Sequence, residues 1–321
     1  MRKIKFSKLN GQGNDFVLID SFNENIILTE DEVKQICDRH FGVGADGIIL
    51  VKKSSVADLF MDYYNSDGTI AEMCGNGIRC MAKFAFDKNI INKNVFLIET
   101  RAGIKNINME ILKDNNAGEI EVNMGVPVFD PEKIPVNMKL LNNEYFVLND
   151  SLSNKIIFKS EYDISDNSSF TELIFNYDLK IDSKIYNINC VSMGNPHCVI
   201  FLNKDEYLEN INLSDIGPKI ENHPFFPKKT NVEFVKIKND AEISMIVWER
   251  GCGETLACGT GACASTVAAS VLKKVKSNYD EYIKVNLKGG ILKIKWNGSK
   301  KDDVFLKGTV AIAFEGELFL S

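Results

Sequence analysis

Met73-Cys74-Gly75-Asn76-Gly77 and Ala257-Cys258-Gly259-Thr260-Gly261 share a Cys-Gly-x-Gly pattern, with 184 positions between the two cysteines. The same offset holds far upstream. Shifted by 184 residues, Gly47 to Gly77 lies over Asn231 to Gly261 without a gap. Val51/Val235, Lys52/Lys236, Ala57/Ala241 and Met61/Met245 are identical, and Asp58/Glu242 and Tyr64/Trp248 are similar. With a slip of three, Gly13-Asn14 also falls on Gly194-Asn195. Each identity is weak alone, but an ungapped register ending on one shared motif describes two halves of common architecture.

The coarse elements repeat as well. Asp58 to Tyr64 and Glu242 to Trp248 are short apolar, aromatic and β-branched runs, so each reads as a strand. After each comes a polar loop, then Cys-Gly-x-Gly, then a helix: Ile78 to Lys88 and Ala262 to Lys274. Thr29 to Arg39 reads as a further helix, opened by a Thr/Glu/Asp cluster. Strand-like stretches follow the cysteine helices, Val95 to Thr100 and Ile104 to Leu112 in one half, Tyr282 to Leu287 and Ile291 to Trp296 in the other. Strands around one apolar helix, twice over, predict an α+β fold of two pseudo-symmetric domains.

Composition bounds the function. The 321 residues suggest two domains, and 45% hydrophobic with 26% charged residues is the balance of a soluble globular protein. A net charge of −6 gives no sign of a nucleic-acid or anionic-membrane surface. No apolar run approaches the roughly 18 residues of a membrane helix. Met1 to Lys8 is charged without an apolar stretch behind it, so no signal peptide is read and a cytoplasmic protein is expected. The eight cysteines show no C-x-x-C spacing and the histidines are only His40, His197 and His223, which fits no zinc motif. Most of the cysteines, Cys80 and Cys263 among them, read as small core residues, and Cys252 as structural.

Cys74 and Cys258 differ, because each stands at a helix start. Unsatisfied N–H groups and a partial positive charge there lower a thiol from about 8.5 into the range of roughly 3.5 to 7.5. The flanking glycines let an anion approach the N–H groups. Two such ends facing one another would hold one carboxylate, with a thiol on each side of the carbon it is attached to. That geometry suits moving a proton from one face of a carbon to the other. One helix end supplies only about 0.3 to 2 kcal/mol, against about 1.5 to 3 for each charge-assisted hydrogen bond, so several N–H bonds in a closed, dry site must carry more of the burden. Closure of the two halves around substrate is therefore expected.

Two glycine motifs compete. Gly42-Val43-Gly44-Ala45-Asp46-Gly47 follows a helix and precedes a strand, the reverse of a dinucleotide fingerprint. Gly259-Thr260-Gly261-Ala262-Cys263-Ala264 does open a helix, but its strand ends some ten residues too early. A nicotinamide oxidoreductase and a thiol-rich binding protein without catalysis remain as alternatives. No phosphate loop and no G-x-S-x-G is present, and no lysine is singled out for a pyridoxal Schiff base, so no cofactor and no metal are expected.

Gly11-Gln12-Gly13-Asn14-Asp15-Phe16, the two cysteine motifs, Ser192-Met193-Gly194-Asn195-Pro196-His197 and Glu249-Arg250-Gly251-x-Gly253-Glu254 together resemble the diaminopimelate epimerases. The resemblance runs from residue 3 to the C-terminus, interrupted mainly between about 138 and 189. It implies cofactor-independent inversion of LL-2,6-diaminoheptanedioate to the meso form, feeding lysine and peptidoglycan synthesis, with Cys74 and Cys258 as the acid/base pair. It further implies that the N–H groups of Gly75, Asn76, Gly259 and Thr260 hold the reacting carboxylate. Asn14, Asn65, Asn195, Asn231, Glu249 and Arg250 would recognise the distal amino-acid end, and His197 and Glu249 would tune the thiols. Amides, one arginine and one glutamate supply both the donors and the acceptors that a zwitterionic end requires. The implied fold is two similar domains, each a strand-built, barrel-like shell around a central helix. The C-terminal strand returns to the first domain, giving halves of 1–124 plus 310–321 and of 125–309, and a homodimer is expected.

Two features depart from the pattern. Gly47 stands where glutamine is often found and is left out of the site. Residues 138–189 form a longer polar segment than usual, with strand-like pieces at Tyr145 to Leu148, Lys155 to Phe158 and Leu173 to Asn176. These read as extra hairpins on the outer edge of the second domain. A racemase acting on another amino acid would keep the same catalytic residues.

Overall fold

The computed structural model describes residues 2–114, 116–138, 140, 173–276 and 281–320. Its elements run β1 (Arg2–Gly11), β2 (Asn14–Asp20), α1 (Glu30–Cys37), β3 (Gly47–Lys52), β4 (Leu59–Asn65), α2 (Gly75–Asp87), β5 (Val95–Thr100), β6 (Gly103–Ile111) and β7 (Ala117–Gly125). They continue as β8 (Tyr177–Ile181), β9 (Lys184–Ser192), β10 (Pro196–Phe201), α3 (Leu213–Glu221), β11 (Asn231–Asn239), β12 (Glu242–Glu249), β13 (Gly253–Thr255) and α4 (Gly259–Val271). Last come β14 (Ile283–Leu287), β15 (Gly290–Lys295), β16 (Val304–Gly308) and β17 (Ala311–Leu320). The chain forms two compact units.

The first unit comprises Met1–Met124, Leu287–Lys293 and Phe305–Ser321. In it β1 pairs antiparallel with both β2 and the C-terminal β17. β2 lies parallel to β3, with Phe16 opposite Gly47, and β3 antiparallel to β4, with Ile48 opposite Tyr64. Phe16-Val17-Leu18-Ile19 and Ile48-Ile49-Leu50-Val51 are wholly buried. Such continuous apolar runs mark strands covered on both faces. Val17, Ile19, Ile48 and Leu50 join Val33 and Ile36 of α1 in one core, while α2 packs against β1, β2 and β3. Each such side chain contributes roughly 1.5 to 3 kcal/mol by leaving water.

The second unit comprises Gly125–Asn286 and Ile294–Val304. Its central ladder repeats the first. β10 lies parallel to β11 with His197 opposite Asn231, and β11 antiparallel to β12 with Val232 opposite Trp248. Even the bridge Tyr64–Ile70 has its counterpart in Trp248–Glu254. Cys198, Ile200, Val232 and Phe234 form a core with Ile216 and Ile220 of α3. α4 packs against β9 to β12 and is buried nearly all round. Small residues, Ala262 to Ala269 among them, let strands approach it from every side. Each unit is thus a sheet wrapped around a central helix, in a mixed α+β fold.

Both cysteine helices begin three residues before the predicted starts. Glycine disfavours helix interiors, but Gly75-Asn76-Gly77 and Gly259-Thr260-Gly261 occupy a first turn capped by the preceding cysteine. α1 starts at a capping box, Glu32 N–H donating to Thr29 Oγ1 (3.2 Å) and Thr29 N–H to Glu32 Oε2 (2.8 Å). It stops at Cys37, short of Arg39, because the Asp38 carboxylate accepts from His40 and Phe41 N–H (2.7 Å each) and turns the chain. Leu173 to Asn176, expected as a strand, is not one. Asn176 has φ +50°, which breaks the extended run, and its N–H is taken by the Asn189 side chain at 3.0 Å. The expected strands at 145–148 and 155–158 lie outside the described residues. Among the described residues no helix is long and apolar enough to cross a membrane.

Candidate active site

In the first unit the sharp turn after β1 brings Asn14 to the head of α2. Cys74 is the N-cap of that helix in extended conformation (φ −138°, ψ 125°), and its Sγ accepts from Gly77 N–H at 3.4 Å. The thiol also meets Asn14 Oδ1 at 3.5 Å, and Asn76 Nδ2 donates to the same oxygen at 3.4 Å. Asn14 is oriented from behind, because its Nδ2 donates to Asp46 Oδ2 at 2.6 Å. The fully buried Arg79 donates to Gly75 O and to Asn76 Oδ1 (2.9 Å each), and to Gln12 Oε1. Gly75, Asn76, Cys74 and Asn14 are therefore assembled in one place. Asn65, the last residue of β4, lies opposite Gly47 and donates to Thr69 Oγ1 at 3.0 Å.

The second unit matches this with different chemistry. Cys258 caps α4 in extended conformation (φ −120°, ψ 114°), with Gly261 N–H on its Sγ at 3.4 Å and Thr260 Oγ1 at 3.5 Å. Asn195 Oδ1 faces His197 Nε2 at 3.0 Å, and His197 Nδ1 meets Glu233 Oε1 at 2.6 Å. Asn231 donates to Pro196 O (2.8 Å) and accepts the Arg250 N–H (2.9 Å), and Arg250 itself reaches Lys228 O at 3.2 Å. Glu249 accepts from Thr255 at 2.5 Å. Glu221 fixes the turn beyond it, accepting from Trp248 Nε1 (2.7 Å) and Gly251 N–H (3.1 Å).

One expectation is overturned. The helix start does not lower the Cys258 thiol, which lies well above the ordinary range. Burial is the largest cause, and the Glu249 and Glu233 charges add to it. The bonds from Thr260 and Gly261 pull the other way and lose. Burial and the two neighbouring acids thus both favour the protonated thiol. Burial also raises the Glu233 carboxyl, which the adjacent His197 offsets only in part. Cys80 and Cys263 are core residues as expected, Cys252 is exposed, and none of the eight cysteines is in a disulfide.

Glu233, Asp46, Arg79, Gln12 and Glu221 were not read from the sequence. A glutamate amid the apolar residues of Asn231-Val232-Glu233-Phe234, and an arginine inside the apolar helix Ile78 to Ala85, were the available signals. Gly47 has a local reason: a Cβ there would lie 2.5 Å from Tyr64 O and 2.6 Å from the Tyr63 ring. Among the described residues no group of three His, Cys, Asp or Glu is placed to hold a metal.

Comparison with known proteins agrees with this architecture. Residues 6–129 and 189–312 match the family model described as diaminopimelate epimerase. The chain is 41% identical over 321 residues to the diaminopimelate epimerase of Acetivibrio thermocellus, covering 99% of each chain. It is 41% identical over 315 residues to that of Methanococcus maripaludis strain C5, covering 98% of this chain and 99% of the relative. In fold it is similar to a hydroxyproline epimerase from Agrobacterium vitis solved with trans-4-hydroxy-L-proline (TM-score 0.65, 12% identity, 99% of this chain and 92% of that one). It is similar also to a PhzF-family phenazine biosynthesis protein from Bacillus anthracis (TM-score 0.61, 15% identity, 100% of both). Full-length identity of this order, together with the family match over both cysteine helices, shows that the chain belongs to the diaminopimelate epimerase family.

Proposed function

We propose that the protein interconverts LL-2,6-diaminoheptanedioate and its meso isomer without a cofactor, with Cys74 and Cys258 as the acid/base pair. The observation that carries this reading is that each unit caps its glycine-rich central helix with a cysteine at the same register position, in a chain related over its full length to diaminopimelate epimerases. The thiolate takes the α-proton, the carbanion is held through its carboxylate, and the thiol returns a proton to the opposite face. Burial and the neighbouring acids favour the protonated form of Cys258. Each Sγ occupies the third N–H of its helix. The N–H groups of Gly75, Asn76, Gly259 and Thr260 are left to the reacting carboxylate, where charge develops.

Asn14, Asn65, Asn195, Asn231, Glu249 and Arg250 recognise the distal amino-acid end in this reading, and His197 and Glu249 act on the thiol environment. The two units are then the halves of one catalytic fold, and the family resemblance extends the proposal to a cytoplasmic homodimer. Proton NMR of LL-diaminoheptanedioate in D₂O with the reduced protein tests the chemistry. Loss of the α-proton signal with appearance of the meso isomer is expected. Exchange with proline or another amino acid instead overturns the substrate, and exchange with none overturns the catalysis.

A further inference from the structure

Because the two units repeat their ladders in register, what lies under each cysteine helix can be compared position by position. In the first unit Phe16 stands opposite Gly47, and Ile49 follows two residues on, on the same face of the sheet. In the second His197 stands opposite Asn231, with Glu233 two residues on. Ile49 and Glu233 meet the same helix position. A Cβ on Gly77 would lie 3.1 Å from Ile49 Cδ1, and one on Gly261 would lie 2.7 Å from Glu233 Oε1. All four side chains are fully buried. An apolar pair in one unit is therefore a carboxylate and an imidazole in the other. The fold closes with isoleucine at this position, so packing does not demand the glutamate, and burying it is costly. Its Oε2 has no hydrogen-bond partner among the described residues, so it is not there to complete a network either.

What the pair does is decided by the far ring nitrogen. Nε2 of His197 faces the Asn195 amide oxygen at 3.0 Å, and with the amide in that orientation the ring nitrogen is the donor. Glu233 beside Nδ1 makes that possible in either of two ways: a carboxylate balances an imidazolium, or a carboxylic acid donates to Nδ1 of a neutral ring. Both leave Nε2–H in place. The other titratable groups that face the pair are Glu249 at the end of β12, Cys258 at the head of α4 and Cys198 on β10, all acids. In the first unit the counterpart of Asn195 is Asn14, and it is held the other way round. The Asp46 carboxylate takes its amino group, leaving Oδ1 toward Cys74 and Asn76.

We propose that Glu233 is a positioning residue that acts through His197 to lock the Asn195 amide with its oxygen inward, leaving the amino group to donate to a carboxylate of the substrate. The substrate's identity rests on the epimerase reading above, whereas the locked amide does not. Two variants of the full chain test it. Glu233→Ile installs the residue of the first unit, and Glu233→Gln keeps a hydrogen bond to Nδ1 from its amide N–H. Glu233→Ile is expected to raise KM for LL-diaminoheptanedioate roughly 10- to 100-fold, with kcat changed less. Glu233→Gln is expected to restore KM to near the parent value.

A substrate-free measurement accompanies these. In ¹⁵N-histidine NMR, His197 (identified by the loss of its signals in His197→Phe) is expected to carry hydrogen on Nε2 in the parent and in Glu233→Gln. An unchanged KM in Glu233→Ile, a failure of Glu233→Gln to restore it, or a bare Nε2 in the parent overturns the proposal. Should Glu233→Ile not fold, the His197→Phe/Glu233→Ile double variant carries both first-unit residues and is expected to show a comparable rise in KM, with kcat lowered further by the loss of His197 from the thiol environment. A parent inactive on this substrate would refute the epimerase reading, and the NMR experiment would still decide the role of Glu233.

Discussion

α2 and α4 begin alike and then diverge. Both open with a capping cysteine and a Gly-x-Gly turn, but five residues on α2 has Arg79 where α4 has Cys263. In the first unit a buried guanidinium grips the first turn from below, through Gly75 O, Asn76 and Gln12. In the second a small side chain stands there, and the ionisable groups lie on the strands, as His197 and Glu233. A repeated backbone therefore does not imply repeated chemistry. The register is copied, yet the thiol of the second unit sits among acids while the helix of the first is organised by a cation.

The largest effect is expected at the cysteines themselves. Cys74→Ala or Cys258→Ala should each lower epimerisation by roughly 10²- to 10⁴-fold or more, measured by chiral chromatography of the product. A single variant with more than a few per cent of parent activity breaks the two-base scheme. The environments sharpen the contrast: alkylation of Cys258 should stay slow near neutral pH and accelerate only above the ordinary thiol range of about 8.5.

Next come the two counterparts on the helices. Arg79→Leu leaves Gly75 O and the Asn76 and Gln12 oxygens without their donor. It should cost roughly 3 kcal/mol or more in urea denaturation. Cys263→Ser at the matching place should cost nearer about 1 kcal/mol. Equal losses would mean that Arg79 only fills space. Gly47 and Asn231 offer a smaller comparison. Gly47→Ala should destabilise by roughly 1 to 3 kcal/mol, because the added carbon meets the Tyr64 carbonyl and the Tyr63 ring, while Asn231 is accommodated at the same register position. Unchanged urea midpoints would show that the first unit yields more readily than its contacts imply.

The smallest effect is electrostatic and belongs to the first unit. Burial pushes the Asp15 carboxyl up, but hydrogen bonds from Arg39 and Lys8 outweigh it and hold it at about 2. A lowered value means that the unfolded chain binds the proton more readily. The stabilisation is therefore present above about 4 and is lost as the pH falls toward 2, amounting to roughly 1 to 2 kcal/mol after allowance for partial exposure. Asp15→Asn should remove that portion of the acid slope in a series of urea melts from pH 5 to pH 2, and an unaltered slope would count against it.

Much of this was legible in advance where the cause is local. The strand Val95–Thr100 follows from its β-branched and apolar pattern alone, and the helix after Thr29 from its capping box. Propensity puts the glycine-rich first turns of α2 and α4 outside the helices, because it argues against glycine and says nothing of a thiol accepting the third N–H. Leu173 to Asn176 read as a strand on composition, but a left-handed residue at Asn176 ends the extended run before β8 begins. Among candidate site residues, Cys74, Cys258 and the matched Asn14 and Asn195 are legible in the sequence because their spacing repeats. Arg79 and Glu233 are not, since a single charge in an apolar run has no pattern to repeat.

The sequence by itself determined the duplication, the two capping cysteines and the family, because identities at a constant offset and motifs in order survive as linear information. Tertiary structure alone decided the direction in which the Cys258 thiol is shifted. Whether a thiol at a helix start is lowered or raised depends on burial against dipole, and burial is a property of the packed unit. It also decided that His197 and Glu233, 36 residues apart, form one pair. A parallel ladder sets Asn231 beside His197, and the alternation of side chains then turns Glu233 to the same buried face.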